Sequence, residues 1–251
     1  MTSSTQAVPP AACADCRLRQ LDCFLPVTAD ELAFIQSCRQ TTQAVRAGAA
    51  IVSEHRAPQR IYTLYAGWAF RYQTLADGRR QILNFLLPGD LVGLQGEFTD
   101  EATHGVEALT DTQLCVFGQD QLWRIFQQQP QLGYNVTWLC ASEERLVDEN
   151  LVTVGRRAAA ERIAMLLINL WRRAERVSLV DEDGGVEFPL TQQHIADALG
   201  LSLVHTNKTL RKLERLGLHA LDSGRLRLID VAALERMADY YARPLRQVPL
   251  I

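Results

Sequence analysis

The stretch "LTQQHIADALGLSLVHTNKTLRKLERLG", residues 190–217, decides the fold. Thr191 is a helix N-cap, and Ile195, Ala196 and Leu199 fall on one face of the helix it opens, with Ala196 small enough to let a second helix approach closely. Gly200 supplies the turn, Leu201 plugs the gap between the helices, and Ser202 caps the second helix. On that second helix the 3.6-residue period sends Thr206, Leu210 and Leu213 inward, which leaves Val204, Asn207, Lys208 and Arg211 on the opposite face. Those residues can touch base edges and phosphates, so the stretch reads as a helix-turn-helix with a DNA-facing second helix. A compact helical pair with a solvated basic face explains some of these features singly. Their agreement in order favours DNA.

Working toward the C-terminus, "LHALDSGRLRLID" (218–230) reads as a β-hairpin wing turning at Ser223-Gly224, with Arg225 and Arg227 placed to meet the DNA backbone. Residues 231–242, "VAALERMADYYA", close the domain with a helix. Ser202, His205 and Lys212 join Val204, Asn207, Lys208, Arg211 and Arg225 as the expected DNA contacts, and His205 reads as a backbone or phosphate contact rather than a catalytic group. Working toward the N-terminus, the polar turn "VDEDGGVE" follows a strong helix at 158–177 with Ile163, Leu166, Leu167 and Leu170 on its apolar side. Gly155-Arg156-Arg157 before it is a joint.

Upstream of the joint the pattern is helical back to residue 119, broken once near Pro130. Leu132, Val136, Leu139, Leu146, Val147, Leu151 and Val154 recur at steps near three and four, the seam of a coiled-coil-like pairing, with Glu143 and Asn150 interrupting it. From about Ala44 to Phe117 the texture is short β-like runs punctuated by glycine, with a hairpin signal at Asp77-Gly78, as in a β-barrel or jelly roll. A short helix capped by Thr28 precedes them. Ahead of it lies "AACADCRLRQLDCFLP", with Cys13, Cys16 and Cys23 close together.

Composition narrows the function classes. The formal net charge of -3 argues against a protein that coats nucleic acid indiscriminately but permits one basic face. No apolar run approaches the roughly 20 residues of a membrane helix. The first residues show neither basic leader nor apolar h-region, so the expected location is the cytoplasm, with no membrane partner. There, six cysteines are expected as thiols or metal ligands rather than disulfides. No nucleophile-base motif, phosphate loop or His-Glu zinc signature is found, which argues against an enzyme.

A β-roll, a long pairing helix and a winged helix-turn-helix in this order resemble the Crp/Fnr family of bacterial transcription regulators, on the residues "DGRRQILNFLLPGDLVGL" (77–94) and 190–217. The resemblance implies an α+β chain: a cysteine-bearing arm at 1–27, a cyclic-nucleotide-binding-like β-roll at 28–130, a dimerisation helix at 131–155 and a winged helix-turn-helix DNA-binding domain at 156–251. It implies a homodimer on palindromic double-stranded DNA that recruits or blocks RNA polymerase. Cyclic AMP is not expected as a ligand, because no arginine stands between Gly89 and Asp111 to neutralise its phosphate. Val204 and Lys208 occupy positions where many family members carry Glu and Arg; valine packs on a thymine methyl instead of accepting from cytosine, so a different half-site is expected.

Oxygen-sensing members of that family hold a [4Fe-4S] cluster with three arm cysteines and a fourth in the roll, which Cys13, Cys16, Cys23 and Cys115 resemble, with one residue more between the second and third. Three readings of the thiols stay open: cluster, zinc site or thiol switch, and no metal role, with Cys115 a core residue. Cys38 and Cys140 read as structural. The leading expectation is a sequence-specific DNA-binding regulator responding to oxygen, redox state or a ligand in the roll. The alternative is a ligand-binding regulatory module acting through a protein partner.

Overall fold

The computed structural model describes residues 8–57, 60–97, 101–118, 120–241 and 246–251. The chain divides into two compact units: residues 1–73, 86–144 and 246–251 form one, and residues 74–85 and 145–245 the other.

Two antiparallel sheets make the roll, and their strands lie in the first unit except for residues 74–85. One orders β1 (Arg39–Val45), β8 (Thr112–Gly118), β3 (Arg60–Ala66) and β6 (Leu91–Val92); the other orders β2 (Ala50–Val52), β7 (Gly105–Ala108), β4 (Ala69–Thr74) and β5 (Arg80–Leu86). The strands fall on the apolar runs of the sequence, apart from β1. That strand, "RQTTQAV", lies at a sheet edge with mostly half-exposed or exposed residues, so its polar sequence carries no alternation signal. Leu64, Ala69, Leu86, Val106, Leu114 and Val116 are buried between the sheets. The Asp77-Gly78 hairpin turns as its dipeptide predicts, with Gly78 at φ +83° and the Arg79 N–H donating to Asp77 Oδ1 at 3.0 Å.

A second apolar layer gathers Cys13 of the arm, Ile35 and Cys38 of α1 (Ala29–Cys38), Leu122 and Ile125 of α2 (Asp120–Gln128), Leu132 and Val136 of α3 (Pro130–Arg156), and Ile251. Thr28 caps α1 by a reciprocal capping box with Glu31. The C-terminal residues lie along the arm: Phe24 and Val248 form a parallel bridge, and Thr63 Oγ1 donates to the Ile251 carbonyl at 2.6 Å.

The expected pairing seam on α3 is divided by the fold. Leu132 and Val136 are buried and Leu139 packs against the same layer, so these three are core positions of their own chain. The two polar interruptions also have partners within the chain: Glu143 pairs with Arg71 at 2.5 Å, and Asn150 Nδ2 donates to the Leu83 carbonyl at 2.8 Å. Val147, Leu151 and Val152 stay exposed, as does Tyr134 near the start of the helix.

The second unit packs α4 (Ala159–Arg176), α5 (Gln192–Leu199), α6 (Leu203–Arg215) and α7 (Val231–Ala238) with a three-stranded sheet in the order β10 (His219–Asp222), β11 (Arg225–Leu228), β9 (Gly185–Glu187). Ile163, Leu167, Ile168, Ile195, Leu213, Leu226 and Leu234 are fully buried in its core. The closing helix is shorter than expected, because Asp239 turns into the left-handed region at φ +51° and caps it. Residues 74–85 belong to this unit: Arg173 donates to the Phe85 carbonyl at 2.8 Å and Gln81 to the Ala198 carbonyl at 3.1 Å.

Candidate nucleic-acid interface

α5 and α6 are set by local chemistry. Thr191 Oγ1 accepts from the His194 N–H while the His194 side chain accepts from the Thr191 N–H, a reciprocal cap in which histidine replaces the usual Glu. Gly200 ends α5 at φ +62°, and the Leu201 N–H returns to the Ala196 carbonyl, so the chain reverses within two residues. Ser202 Oγ then accepts from the His205 N–H at 3.2 Å and starts α6. Thr206, Leu210 and Leu213 are buried, as the period requires.

The opposite face of α6 is open. Val204 is 79% exposed, and Ser202, His205, Lys208, Arg211 and Lys212 are exposed beside it. Asn207 shares that face but is half-buried: its Nδ2 donates to Gln192 Oε1 at 2.7 Å. A groove of about 860 Å³ runs along this face, lined by Gln192, Val204, Asn207, Lys208, Arg211 and Arg215 among others. Cations thus flank an apolar tip and a pair of amides, the chemistry of phosphate contact beside base-edge contact. Sequence reasoning missed Gln192, Leu203, Glu214 and Arg215, and Glu214 is the one carboxylate among the described residues on the groove. Gln192 had a signal in principle, since the first residue after an N-cap on the first helix lies at the end that meets the second helix. Leu203, 47% exposed, follows a cap directly and carries no such signal.

On the wing, Arg225 is placed differently from the expectation of a free backbone contact. Its guanidinium is ion-paired with Asp181 and lies 3.6 Å from Asp183, and these carboxylates push its pKa up. A phosphate would have to compete with them. Arg227 is exposed, with no ion pair found among the described residues.

The cysteines divide three against one. Cys13, Cys16 and Cys115 line a cavity of about 20 Å³ together with Arg19, Tyr65 and Ile251; Cys23 does not line it. The Cys23 carbonyl accepts from the Val248 N–H at 2.8 Å, which ties this part of the arm to the C-terminal residues. Burial pushes the Cys13 and Cys115 thiols up, against the pull of Arg39. Arg19 Nη1 is buried without a hydrogen-bond partner, and burial lowers its pKa against the opposing influence of the three thiols. A four-iron cluster needs four thiolates around a much larger space. Among the described residues no group of three or more His, Cys, Asp or Glu is placed to hold a metal ion. Cys38 is buried at the end of α1, whereas Cys140 is exposed on α3 and has no packing role of that kind.

In the roll, Arg71 on β4 is committed to Glu143, and His104 is buried near it with its pKa pushed down to about 4, by desolvation first and by the Arg71 charge second.

Two family models match the chain: the cyclic nucleotide-binding domain over residues 42–129 and the Crp-like helix-turn-helix domain over residues 161–237. The nitrogen fixation regulation protein FixK of Bradyrhizobium diazoefficiens is 30% identical over 226 residues, covering 90% of this chain and 93% of its own. The transcriptional activator protein FnrL of Cereibacter sphaeroides is 30% identical, covering 85% and 86%. Among solved structures, FixK2 from Bradyrhizobium japonicum superposes with a TM-score of 0.72 at 26% identity, over 81% of this chain and 98% of that one. No described helix is long and apolar enough to cross a membrane.

Proposed function

Because the chain belongs to the Crp/Fnr family of transcription regulators, we propose that its exposed α6 face reads double-stranded DNA as one half of a homodimer, to recruit or block RNA polymerase. The observation that carries this reading is the groove beside α6, where Lys208, Arg211 and Arg215 flank the exposed Val204 on a helix fixed by the Ser202 cap. The contacts are Ser202, Val204, His205, Asn207, Lys208, Arg211 and Lys212 from the helix, with Arg225 able to contribute only after release from Asp181 and Asp183.

The input belongs at the arm. Three thiols and a buried guanidinium nitrogen without a partner share one cavity, so a change in thiol charge there meets a cation already in place. This supports a response to oxygen or redox state, with Cys13, Cys16 and Cys115 as its core and Cys23 outside it. A cyclic nucleotide is not the signal in this reading, since residues 89–111 lack an arginine and Arg71 is paired with Glu143.

The test is DNA selection from random sequence with anaerobically reduced and with oxidised protein, alongside iron and zinc counts and a Cys115→Ser variant. A palindromic site whose affinity changes at least severalfold with oxidation, and no longer does so in C115S, supports the proposal. Specific binding that ignores oxidation removes the redox input. Binding with no sequence preference leaves the protein-partner module as the better reading. Four irons per chain would show that the arm refolds around a cluster.

A further inference from the structure

Resting on the DNA-reading role of α6, we propose that Gln192 and Asn207 act as one unit that selects an adenine in the half-site, beside a thymine met by Val204. The observation is the bond between the two amides across the helix turn, Asn207 Nδ2 to Gln192 Oε1 at 2.7 Å, on the groove that also contains Val204.

A freely rotating asparagine on a helix surface presents either its oxygen or its nitrogen, and so carries little polarity information. In this scheme the N–H anti to Oδ1 is the one held by Gln192, which fixes the Asn207 amide plane and leaves the syn N–H donor and the Oδ1 acceptor side by side. Adenine offers the complement in the major groove, an N7 acceptor next to an N6 donor. Guanine offers N7 and O6, two acceptors, which would set Oδ1 against O6 and leave it unpaired. Thymine offers one acceptor and a methyl, and cytosine one donor, so neither uses both atoms. Val204 stands one turn away on the same face, and its 79% exposure leaves its two methyls free for a thymine methyl. Asn207 is the base-contacting residue in this scheme, and Gln192 is a positioning residue that acts through it.

The experiment is competitive binding by the full chain to its selected site and to each single-base variant. The wild type is expected to show one adenine per half-site whose change to guanine weakens binding at least tenfold. Asn207→Ala is expected to reduce that ratio below threefold while the preference at other positions stays. Gln192→Ala, with an unchanged thermal midpoint, is expected to relax the same position. Gln192→Glu restores it, because a carboxylate still accepts from Asn207 Nδ2; its added charge lowers affinity equally for every sequence. A uniform loss across all positions in Q192A, or an adenine preference that survives N207A, overturns the proposal and leaves the DNA-binding role intact. Absence of any preferred sequence overturns both.

Discussion

At the scale of single residues, burial governs the chemistry more than charge does. His104 is 7% exposed on average over its surface, and its pKa is pushed down to about 4 from an ordinary value of 6.5, by desolvation and then by Arg71, with Glu54 opposing. The folded protein therefore binds fewer protons here than the unfolded chain once the pH drops below 6.5. The stability due to neutral His104 is complete above about pH 6.5, falls as the pH drops, and is gone near pH 4. The difference corresponds to roughly 3.5 kcal/mol at about 1.4 kcal/mol per pH unit. Urea unfolding followed from pH 7 to pH 4 should show this loss in the roll, and His104→Gln should flatten that part of the profile. A profile identical in H104Q would show that other groups control the acid limb.

At the scale of elements, α3 shows what a periodic pattern reveals and what it leaves out. The pattern correctly locates the helix and its apolar positions, but it does not say which partner covers each one. Leu132 and Val136 are covered by the chain's own α2 and arm, and Glu143 and Asn150 are held by Arg71 and Leu83, so the surface left for a second copy is narrower than the seam suggests. Cys140, Val147 and Leu151 form one exposed stripe at steps of seven and four. If that stripe is the dimer contact, Leu151→Glu buries a charge in the pair and leaves the single chain untouched, since Leu151 is 70% exposed. Sedimentation should show the dimer weakened by ten- to a hundredfold, from roughly 1.5–3 kcal/mol of lost burial. Mild oxidation should link two wild-type chains through Cys140, because equivalent residues of a symmetric parallel pair face each other, and Cys140→Ser should abolish the link. A dimer unaffected by L151E would place the contact elsewhere. The helix-turn-helix was more legible than α3, because its caps, glycine and buried period all act within a few residues. The Gln192–Asn207 bond and the capture of Arg225 by Asp181 join side chains 15 and 44 positions apart, beyond what any local pattern reports.

At the scale of the whole molecule, a chain with a net charge of -3 has to bind a polyanion through a local concentration of cations. Lys208, Arg211, Lys212 and Arg215 on α6 and Arg227 on the wing are exposed, while the wing's other arginine is neutralised by two aspartates. Each phosphate contact releases counterions and contributes about -0.9 to the slope of log affinity against log salt. If three to four of these cations per protomer reach phosphates, a dimer makes about six to eight contacts and loses roughly a thousandfold or more in affinity between about 50 and 200 mM salt. Arg211→Ala should then lower the slope by about 2 per dimer, one contact per half-site, and weaken binding to every sequence alike. Asp181→Asn together with Asp183→Asn should act in the opposite sense, because release of Arg225 adds a contact and makes the slope steeper by up to about 2. Fluorescence anisotropy titrations of one labelled site across a salt series measure both effects. A slope unchanged by the aspartate pair would mean that Arg225 keeps its distance from DNA even when free, and that the wing approaches the backbone through Arg227 alone.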